Sequence, residues 1–199
     1  ITYAPDTNVR QLTAYLQAHG NLCLYAHPYW SHVNQEELLE VPGLIGMEIY
    51  NHTCEVSSSC GCSEAWFDRL LWNGRHTWCL ACDDTHQHRA DIGGGFIRVK
   101  ADSLTHAAII NGILTGSFHA SEGPLIDSFY VEDGQARISC SPCRQIGLQT
   151  DSYPGAALID PENNLTEGSF ALKGTEKYVR IICIDACGKR AWSQPIWLD

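Results

Sequence analysis

The stretch "LACDDTHQH" at residues 80–88 places two aspartates and two histidines directly after an apolar run. Residues 77–82, "TWCLAC", have the composition of a short buried strand. In parallel α/β sheets, binding and catalytic groups gather at the carboxyl ends of the strands. Asp84 and His86 are two positions apart, so both side chains can turn to one side of the chain. The stretch is therefore either a polar surface loop or half of a metal site.

Two earlier strands of the same kind also end in polar side chains. The run "LCLYA" (22–26) leads into His27, and the run "LIGMEIY" (44–50) carries Glu48. Three strand ends that deliver oxygen or imidazole groups to one rim are typical of a metal-assisted hydrolase. Imidazole together with carboxylate suits zinc, manganese or iron better than calcium.

Each of these residues also has an ordinary structural interpretation. A histidine before proline, such as His27, is often a hydrogen-bonded loop residue. Asp83 can cap or turn the chain. Glu48 lies inside its strand, where a buried and hydrogen-bonded role is at least as common as metal ligation. The joint occurrence of these groups is what favours a metal site.

The order of elements predicts an α/β fold followed by a β-rich unit. Residues 1–121 alternate between amphipathic helical patterns and apolar strands, which indicates a parallel sheet covered by helices. From residue 122 onward, alternating strands are separated by Gly, Pro, Asn and Asp, beginning with a hairpin around "EDGQ" (132–135). We therefore expect two domains, residues 1–121 and residues 122–199.

Composition and charge exclude several classes of protein. A hydrophobic content of 44% with 18% charged residues is typical of a globular protein. The net charge of −10 and the lack of a Lys/Arg cluster argue against a nucleic-acid partner. The sequence has no apolar run of about 18 residues, so no membrane association is expected. It opens "ITYAPDTNV" without a signal peptide, which favours a cytoplasmic chain trimmed from a longer one.

The ten cysteines include two C-x-x-C spacings, Cys79/Cys82 and Cys140/Cys143. Cys79 and Cys82 lie in a predicted strand, where residues three apart point to opposite faces. The "CSPC" segment at 140–143 has better turn chemistry but no obvious second pair. Most of the cysteines are therefore interpreted as small buried hydrophobic residues in a reducing cytoplasm.

Five motifs in order resemble one family. "AHPYW" (26–30), "GMEIYN" (46–51), "ACDDTH" (81–86), "GGGFIRVKA" (93–101) and "GSFHASEGP" (116–124) resemble the PHP-domain metal-dependent phosphoesterases. The branch resembled most contains carbaryl-hydrolase-like metallohydrolases, which tend to carry a β-rich tail. The resemblance implies a distorted (β/α)7 barrel with two or three metals at its carboxyl rim.

Carried onto this sequence, the resemblance makes His27, Asp84 and His86 metal ligands. Glu48 and Asp83 fall beside the motif positions and are the predicted catalytic residues. PHP domains begin with an H-x-H motif on the first strand, and no such motif precedes His27. The fold class that follows is an incomplete PHP-type (β/α)7 barrel, its first metal-binding strands missing, with a β-rich C-terminal extension. Exposed edges of such a barrel would favour self-association.

The function that follows is a metal-dependent hydrolase that uses metal-activated water and a divalent Mn, Zn or Fe ion. A small-molecule phosphoester is the expected substrate. Two alternatives remain open at the level of the sequence. The same chemistry serves an ester, carbamate or amide, and the chain could instead be a non-catalytic binding or structural module.

Overall fold

A computed structural model describes residues 8–86, 89–153 and 155–198 of the chain. These residues form five α-helices, thirteen strands and a short 3-10 helix at Arg89–Asp91. The helices are α1 (Val9–Ala18), α2 (Gln35–Leu39), α3 (His52–Ser58), α4 (Glu64–Trp72) and α5 (His106–Leu114). The strands in the first part are β1 (Leu24–Tyr25), β2 (Gly46–Asn51), β3 (Trp78–Cys82), β4 (Phe96–Val99) and β5 (Phe118–Ser121). The later strands are β6 (Ile126–Glu132), β7 (Gln135–Cys143), β8 (Gln145–Thr150), β9 (Ala156–Ile159), β10 (Leu165–Ala171), β11 (Tyr178–Ile184), β12 (Arg190–Ser193) and β13 (Ile196–Trp197).

The first sheet is parallel and contains β1, β2 and β3 in that order. Strand β2 lies in the middle and every one of its residues is buried. The apolar residues Met47, Ile49 and Tyr50 suit a position covered on both faces, and Glu48 and Asn51 are buried polar residues within the strand. The carboxyl ends of β2 and β3 are neighbours, because Asn51 is paired with Cys82.

The other two sheets are antiparallel and face each other across an apolar core. One has the strand order β4-β5-β12-β11-β8-β9, with β13 also paired to β11, and the other has the order β10-β7-β6. Buried side chains of both sheets form one cluster, which includes Ile138 on β7, Ile146 on β8 and Ile181 on β11. This part of the chain is a β-sandwich in its packing.

The predicted (β/α)7 barrel is wrong. Strand β4 runs antiparallel to β5, and β5 pairs antiparallel with β12 near the end of the chain. The described residues form three separate sheets and no closed barrel. Helices and strands do alternate in this part of the chain. However, the direction of a strand depends on the partner with which it pairs, and β5 pairs with β12.

The large antiparallel sheet combines strands from both sides of residue 121. Strands β4 and β5 precede this position, and their neighbours β12 and β11 follow it. Strands β5 and β12 thus join the two parts of the chain in one hydrogen-bonded sheet. The division into residues 1–121 and 122–199 stays a prediction.

A buried ion-pair network joins helix α4 to strand β11. Arg180 on β11 is fully buried, and its guanidinium donates to the carboxylates of Asp68 and Glu64 on α4. Arg190 on β12 donates to the other oxygen of Glu64 at 3.0 Å. These contacts tie the helical layer over the parallel sheet to the antiparallel sheet.

Two further contacts join the parallel sheet to the antiparallel one. The Trp192 ring is fully buried and stacks on Tyr50 of β2 with ring centroids 6.0 Å apart. The side-chain amide of Gln194 bonds both backbone groups of Cys79 on β3, accepting from its N–H at 2.9 Å and donating to its carbonyl at 2.8 Å.

None of the helices in the described ranges combines the length and the apolar character that crossing a bilayer demands.

Candidate metal centre

The carboxylate of Glu48 is the buried centre of the predicted rim. It is 9% exposed and accepts three hydrogen bonds. Its Oε2 accepts from the backbone N–H of His27 at 2.8 Å and from the side-chain amide of Asn51 at 3.0 Å. Its Oε1 accepts from the Cys82 thiol at 3.0 Å. Burial and the neighbouring Glu48 raise the pKa of Cys82, so this thiol stays protonated and donates.

Asn51 joins the two predicted carboxylates. Its Nδ2 donates to Glu48 Oε2 and also to Asp84 Oδ2, the latter at 3.1 Å. Its Oδ1 accepts from the backbone N–H of Cys54 at 2.9 Å, so the same side chain caps helix α3. Because this cap fixes the Asn51 amide, its Nδ2 holds Glu48 on β2 and Asp84 just after the neighbouring strand β3.

Two of the predicted ligands have a backbone conformation that is rare for non-glycine residues. The φ angle is 30° at His27 and 52° at Asp84. Residues in the left-handed region cost of order 1 kcal/mol or more, and they cluster at sites where the surrounding structure holds them. The strained residues are His27, just after β1, and Asp84, just after β3.

The hydrogen bonds of His86 leave one nitrogen suited to a metal. Its Nδ1 lies 2.6 Å from the backbone carbonyl of Asp84. A carbonyl can only accept, so Nδ1 carries the proton and Nε2 has the lone pair in the neutral ring. A backbone carbonyl on the other nitrogen is the usual arrangement of a metal-binding histidine. The ring of His27 is oriented by Ser31, whose Oγ lies 2.9 Å from Nδ1.

The sequence analysis missed Asp91, which lies between these groups. Asp91 is 1% exposed, and its Oδ2 accepts from the backbone N–H of His86 at 2.9 Å and from Thr53 at 3.3 Å. Its Oδ1 is buried without a hydrogen-bond partner among the described residues. The only signal in the sequence is that this aspartate lies two residues before the glycine run at 93–95. An unpaired buried carboxylate oxygen is what a cation would satisfy.

Asp83 bonds the glycine loop at residues 93–95. Its carboxylate accepts from the backbone N–H groups of Gly93, Gly94 and Gly95 at 2.7, 2.8 and 2.8 Å. Burial acts to raise the pKa of Asp83, but these three bonds outweigh it and lower the pKa. A side chain at Gly95 would lie 2.4 Å from the carbonyl of Cys82, so the loop approaches β3 closely. Asp83 thus holds this loop against β3, and its catalytic role stays a prediction.

The predicted ligands do not form a compact group of three. Within the described ranges, the group of His, Cys, Asp or Glu residues whose ligand atoms all lie within 4.8 Å of one another is Cys140, Cys143 and Cys183. The ligand atoms of His27, Asp84 and His86 therefore do not all lie within 4.8 Å of one another. We call the group formed by Asn51, Glu48 and Asp84 the Asn51 centre. Residues 87 and 88, the end of the "DDTHQH" stretch, lie outside the described residues.

A large cleft lies away from these residues. It has a volume of about 720 Å³ and is lined by basic and aromatic side chains, among them Arg98, Lys100, His119 and Phe129. The predicted site residues are absent from its lining. Burial, followed by the charge of Arg98, lowers the pKa of His119 to about 4, so this imidazole is neutral at pH 7.

Comparison with known proteins gives little support for any family. No known protein family matches the sequence, and no curated protein is significantly similar to it. Among solved structures, the chain is similar to a two-domain protein from Bacteroides vulgatus that contains a predicted PHP-like metal-dependent phosphoesterase. The identity is 11% and the TM-score 0.43, over 97% of this chain and 66% of that protein. A similarity of this strength carries no argument about fold or activity.

Replacing Asp83 with alanine is expected to lower the free energy of unfolding by about 2 kcal/mol, because three backbone N–H groups lose their acceptor. Asp83→Asn keeps an oxygen for Gly94 and Gly95 and is expected to cost under about 1 kcal/mol. Urea unfolding of the two variants measures the difference. Equal losses for alanine and asparagine would contradict the role given to this carboxylate.

Proposed function

We propose that this chain contributes to the active site of a metal-dependent hydrolase that acts on phosphoesters. The observation that carries the proposal is the shared amide of Asn51, which holds Glu48 Oε2 at 3.0 Å and Asp84 Oδ2 at 3.1 Å. Glu48 inside β2 is thereby joined to Asp84 just beyond β3, and His86 follows two residues later. Carboxylate and imidazole groups are the donors that transition metals take. The phosphoester class comes from the motif resemblance alone.

The donor chemistry of the residues fits a divalent cation. The orphaned Oδ1 of Asp91 and the Nε2 lone pair of His86 are both available to a positive ion. We propose Asp84, His86 and His27 as ligands, with Mn, Zn or Fe as the ion. The unpaired Oδ1 supports adding Asp91 to the proposed ligands. A divalent cation bound there would supply Lewis acidity toward a phosphoryl oxygen.

The protein's own groups position this site. Glu48 is a positioning residue, because it acts on Asp84 through the Asn51 amide and on His27 through a backbone N–H. The carbonyl of Asp84 sets the tautomer of His86. Asp91 fixes the backbone at His86, because its carboxylate accepts a hydrogen bond from the His86 N–H. Each contact limits the freedom of a ligand, which is what a site with few ligands requires.

Asp84→Asn is expected to weaken binding of Mn²⁺ or Zn²⁺ at this site by at least about 100-fold, more than the loss of an outer contact causes. The asparagine oxygen can still accept from Asn51, so the fold is retained. Calorimetric titration of Mn²⁺, a harder ion that thiolates bind poorly, measures the change. The matched control is Asp133→Asn in the turn between β6 and β7, which is expected to leave the affinity unchanged.

A panel of p-nitrophenyl phosphate, bis(p-nitrophenyl) phosphate and p-nitrophenyl acetate tests the reaction class. Metal-dependent hydrolysis of a phosphate substrate that is lost in Asp84→Asn supports the proposal. Hydrolysis of the acetate alone would replace it with the ester, carbamate or amide alternative. A folded chain that binds no Mn²⁺ would favour a non-catalytic module and would contradict the metal centre.

A further inference from the structure

A bulge in strand β7 brings Cys140 and Cys143 to the same side of the strand. Ser139 is paired with Glu167 on β10, and Cys143 is paired with Leu165. Four steps along β7 thus correspond to two steps along β10. The extra residues surround Pro142, which lacks a backbone N–H and is tolerated where a ladder is interrupted. In a regular strand residues three apart face opposite sides, but here both cysteines point inward and are buried.

Strand β11 of the opposing sheet supplies a third thiol. Cys183 is paired with Ile146 on β8 and faces the same core as the two cysteines of the bulge. The sulfur atoms of Cys140, Cys143 and Cys183 all lie within 4.8 Å of one another, and all three residues are unoxidised. Sulfur ligands of a tetrahedral zinc ion are about 3.8 Å apart, which follows from a Zn–S bond of about 2.3 Å. The three sulfurs therefore need only a small inward movement to bind one ion.

The local electrostatics favour a cation among these sulfurs. Hydrogen bonds among the three thiols, from Cys140 and then Cys183, lower the pKa of Cys143, and the bond to Cys143 raises the pKa of Cys140. The negative charges of Asp127 and Asp185 act on Cys140 and Cys143, respectively, and add to the negative potential. A positive ion is favoured there and a further bare thiolate is not.

We propose that Cys140, Cys143 and Cys183 form a structural site for a thiophilic divalent cation, Zn²⁺, which ties the two sheets of the sandwich together. The ion replaces the protons of the thiols, which leave to solvent as it binds, so affinity rises with pH. The three thiolates supply three of the four ligands of a tetrahedral ion and leave the fourth to a water molecule, and apolar residues such as Ile146 and Ile181 belong to the same buried cluster. Its position on β7 and β11 separates it from the Asn51 centre, so it does not depend on the proposed hydrolase function.

Two other arrangements of these cysteines make different predictions. A disulfide between two of them would require the sulfurs to approach to about 2.05 Å and would leave one thiol. Simple packing of three small apolar side chains would give no metal affinity. Thiol counts and metal binding separate all three arrangements.

The test uses Co²⁺ as an optical probe and Zn²⁺ as the competing ion on the reduced, metal-free chain. Wild type and Asp84→Asn are both expected to show sulfur-to-cobalt charge-transfer absorption that Zn²⁺ removes. Cys143→Ala and the double variant Cys140→Ala/Cys183→Ala, each made in the Asp84→Asn background so that the Asn51 centre does not compete, are expected to lose this absorption and to bind Zn²⁺ at least about 100-fold more weakly than Asp84→Asn alone. The matched control is Cys23→Ala, another buried free cysteine, which is expected to behave like wild type.

The thermal midpoint gives a second measurement. Zn²⁺ is expected to raise the midpoint of Asp84→Asn and of Asp84→Asn/Cys23→Ala but not that of Asp84→Asn/Cys143→Ala, and a chelator is expected to reverse the rise. Circular dichroism establishes that each alanine variant is folded. The proposal is overturned if folded wild type gives no charge-transfer absorption, or if the cysteine variants in the Asp84→Asn background bind Zn²⁺ as tightly as Asp84→Asn alone. Two thiols fewer than the ten in the sequence, counted without reductant, would overturn it in favour of a disulfide.

Discussion

Arg180→Ala is expected to lower the free energy of unfolding by about 3 to 5 kcal/mol. The guanidinium is fully buried and donates to Asp68 Oδ1 from Nη2 at 2.5 Å and from Nε at 3.1 Å, and to Glu64 Oε1 at 3.0 Å. Alanine leaves a cavity between β11 and α4 and two carboxylates without their main cation. Burial already raises the pKa of Asp68 in spite of Arg180, so loss of the cation makes the ionised form still less favourable.

The matched control for Arg180 is Arg190→Ala. Arg190 also bonds Glu64, at 3.0 Å, but its side chain is 41% exposed. An ion pair open to solvent contributes about 0 to 1 kcal/mol, so a small loss is expected. Urea unfolding monitored by tryptophan fluorescence compares the two variants at pH 7. If both substitutions cost the same, burial would not be what makes the Arg180 network strong.

Trp192→Ala is expected to cost about 3 to 5 kcal/mol, the range for removing a large aromatic side chain from a core. Its ring is fully buried between the parallel and antiparallel sheets and stacks on Tyr50 at an interplanar angle of 27°. Its Nε1 has no hydrogen-bond partner among the described residues. Trp192→Phe therefore removes a donor whose loss leaves no acceptor unpaired, and is expected to cost only about 1 to 2 kcal/mol.

Chemical denaturation of the two Trp192 variants measures this difference, with far-UV circular dichroism as the signal because the change removes a fluorophore. A phenylalanine variant as unstable as the alanine variant would mean that the indole N–H has a partner, such as a bound water, that the packing argument omits. Hydrogen exchange adds a second comparison. The backbone amides of β2 and β12 are expected to lose protection from exchange together in Trp192→Ala, because the ring extends from β12 and packs on Tyr50 of β2.

Much of the local structure of the first part could be predicted from the sequence. The apolar run at 77–82 forms β3, and the runs before His27 and around Glu48 form β1 and β2. The side chains of Glu48 on β2 and Asp84 just after β3 are joined by Asn51, whereas their role as site residues stays a prediction. These features depend on local apolar patterns and on the geometry of a parallel sheet, so they can be derived without long-range information.

The remaining features depend on contacts between distant parts of the chain. The direction of β5 is set by pairing with β12, more than 60 residues later, and no local pattern encodes that choice. Asp91 reaches His86 across residues that carry no motif. Cys183 joins the cysteines of the β7 bulge only because two sheets stack, and a bulge is invisible in a pattern of alternating residues. The sequence analysis therefore found the strand ends and missed their partners.

Gln194 has a consequence for how the parallel sheet ends. Its side-chain amide contains the same donor and acceptor as a peptide group and bonds both backbone groups of Cys79 on β3. At Cys79, the Gln194 side chain thus makes the two hydrogen bonds that a neighbouring strand would make. A strand that approached β3 at Cys79 would find both backbone groups of that residue already bonded, which opposes extension of the sheet at this position. The protection takes one glutamine that is itself buried, so neither a charged residue nor a covering helix is needed at that point.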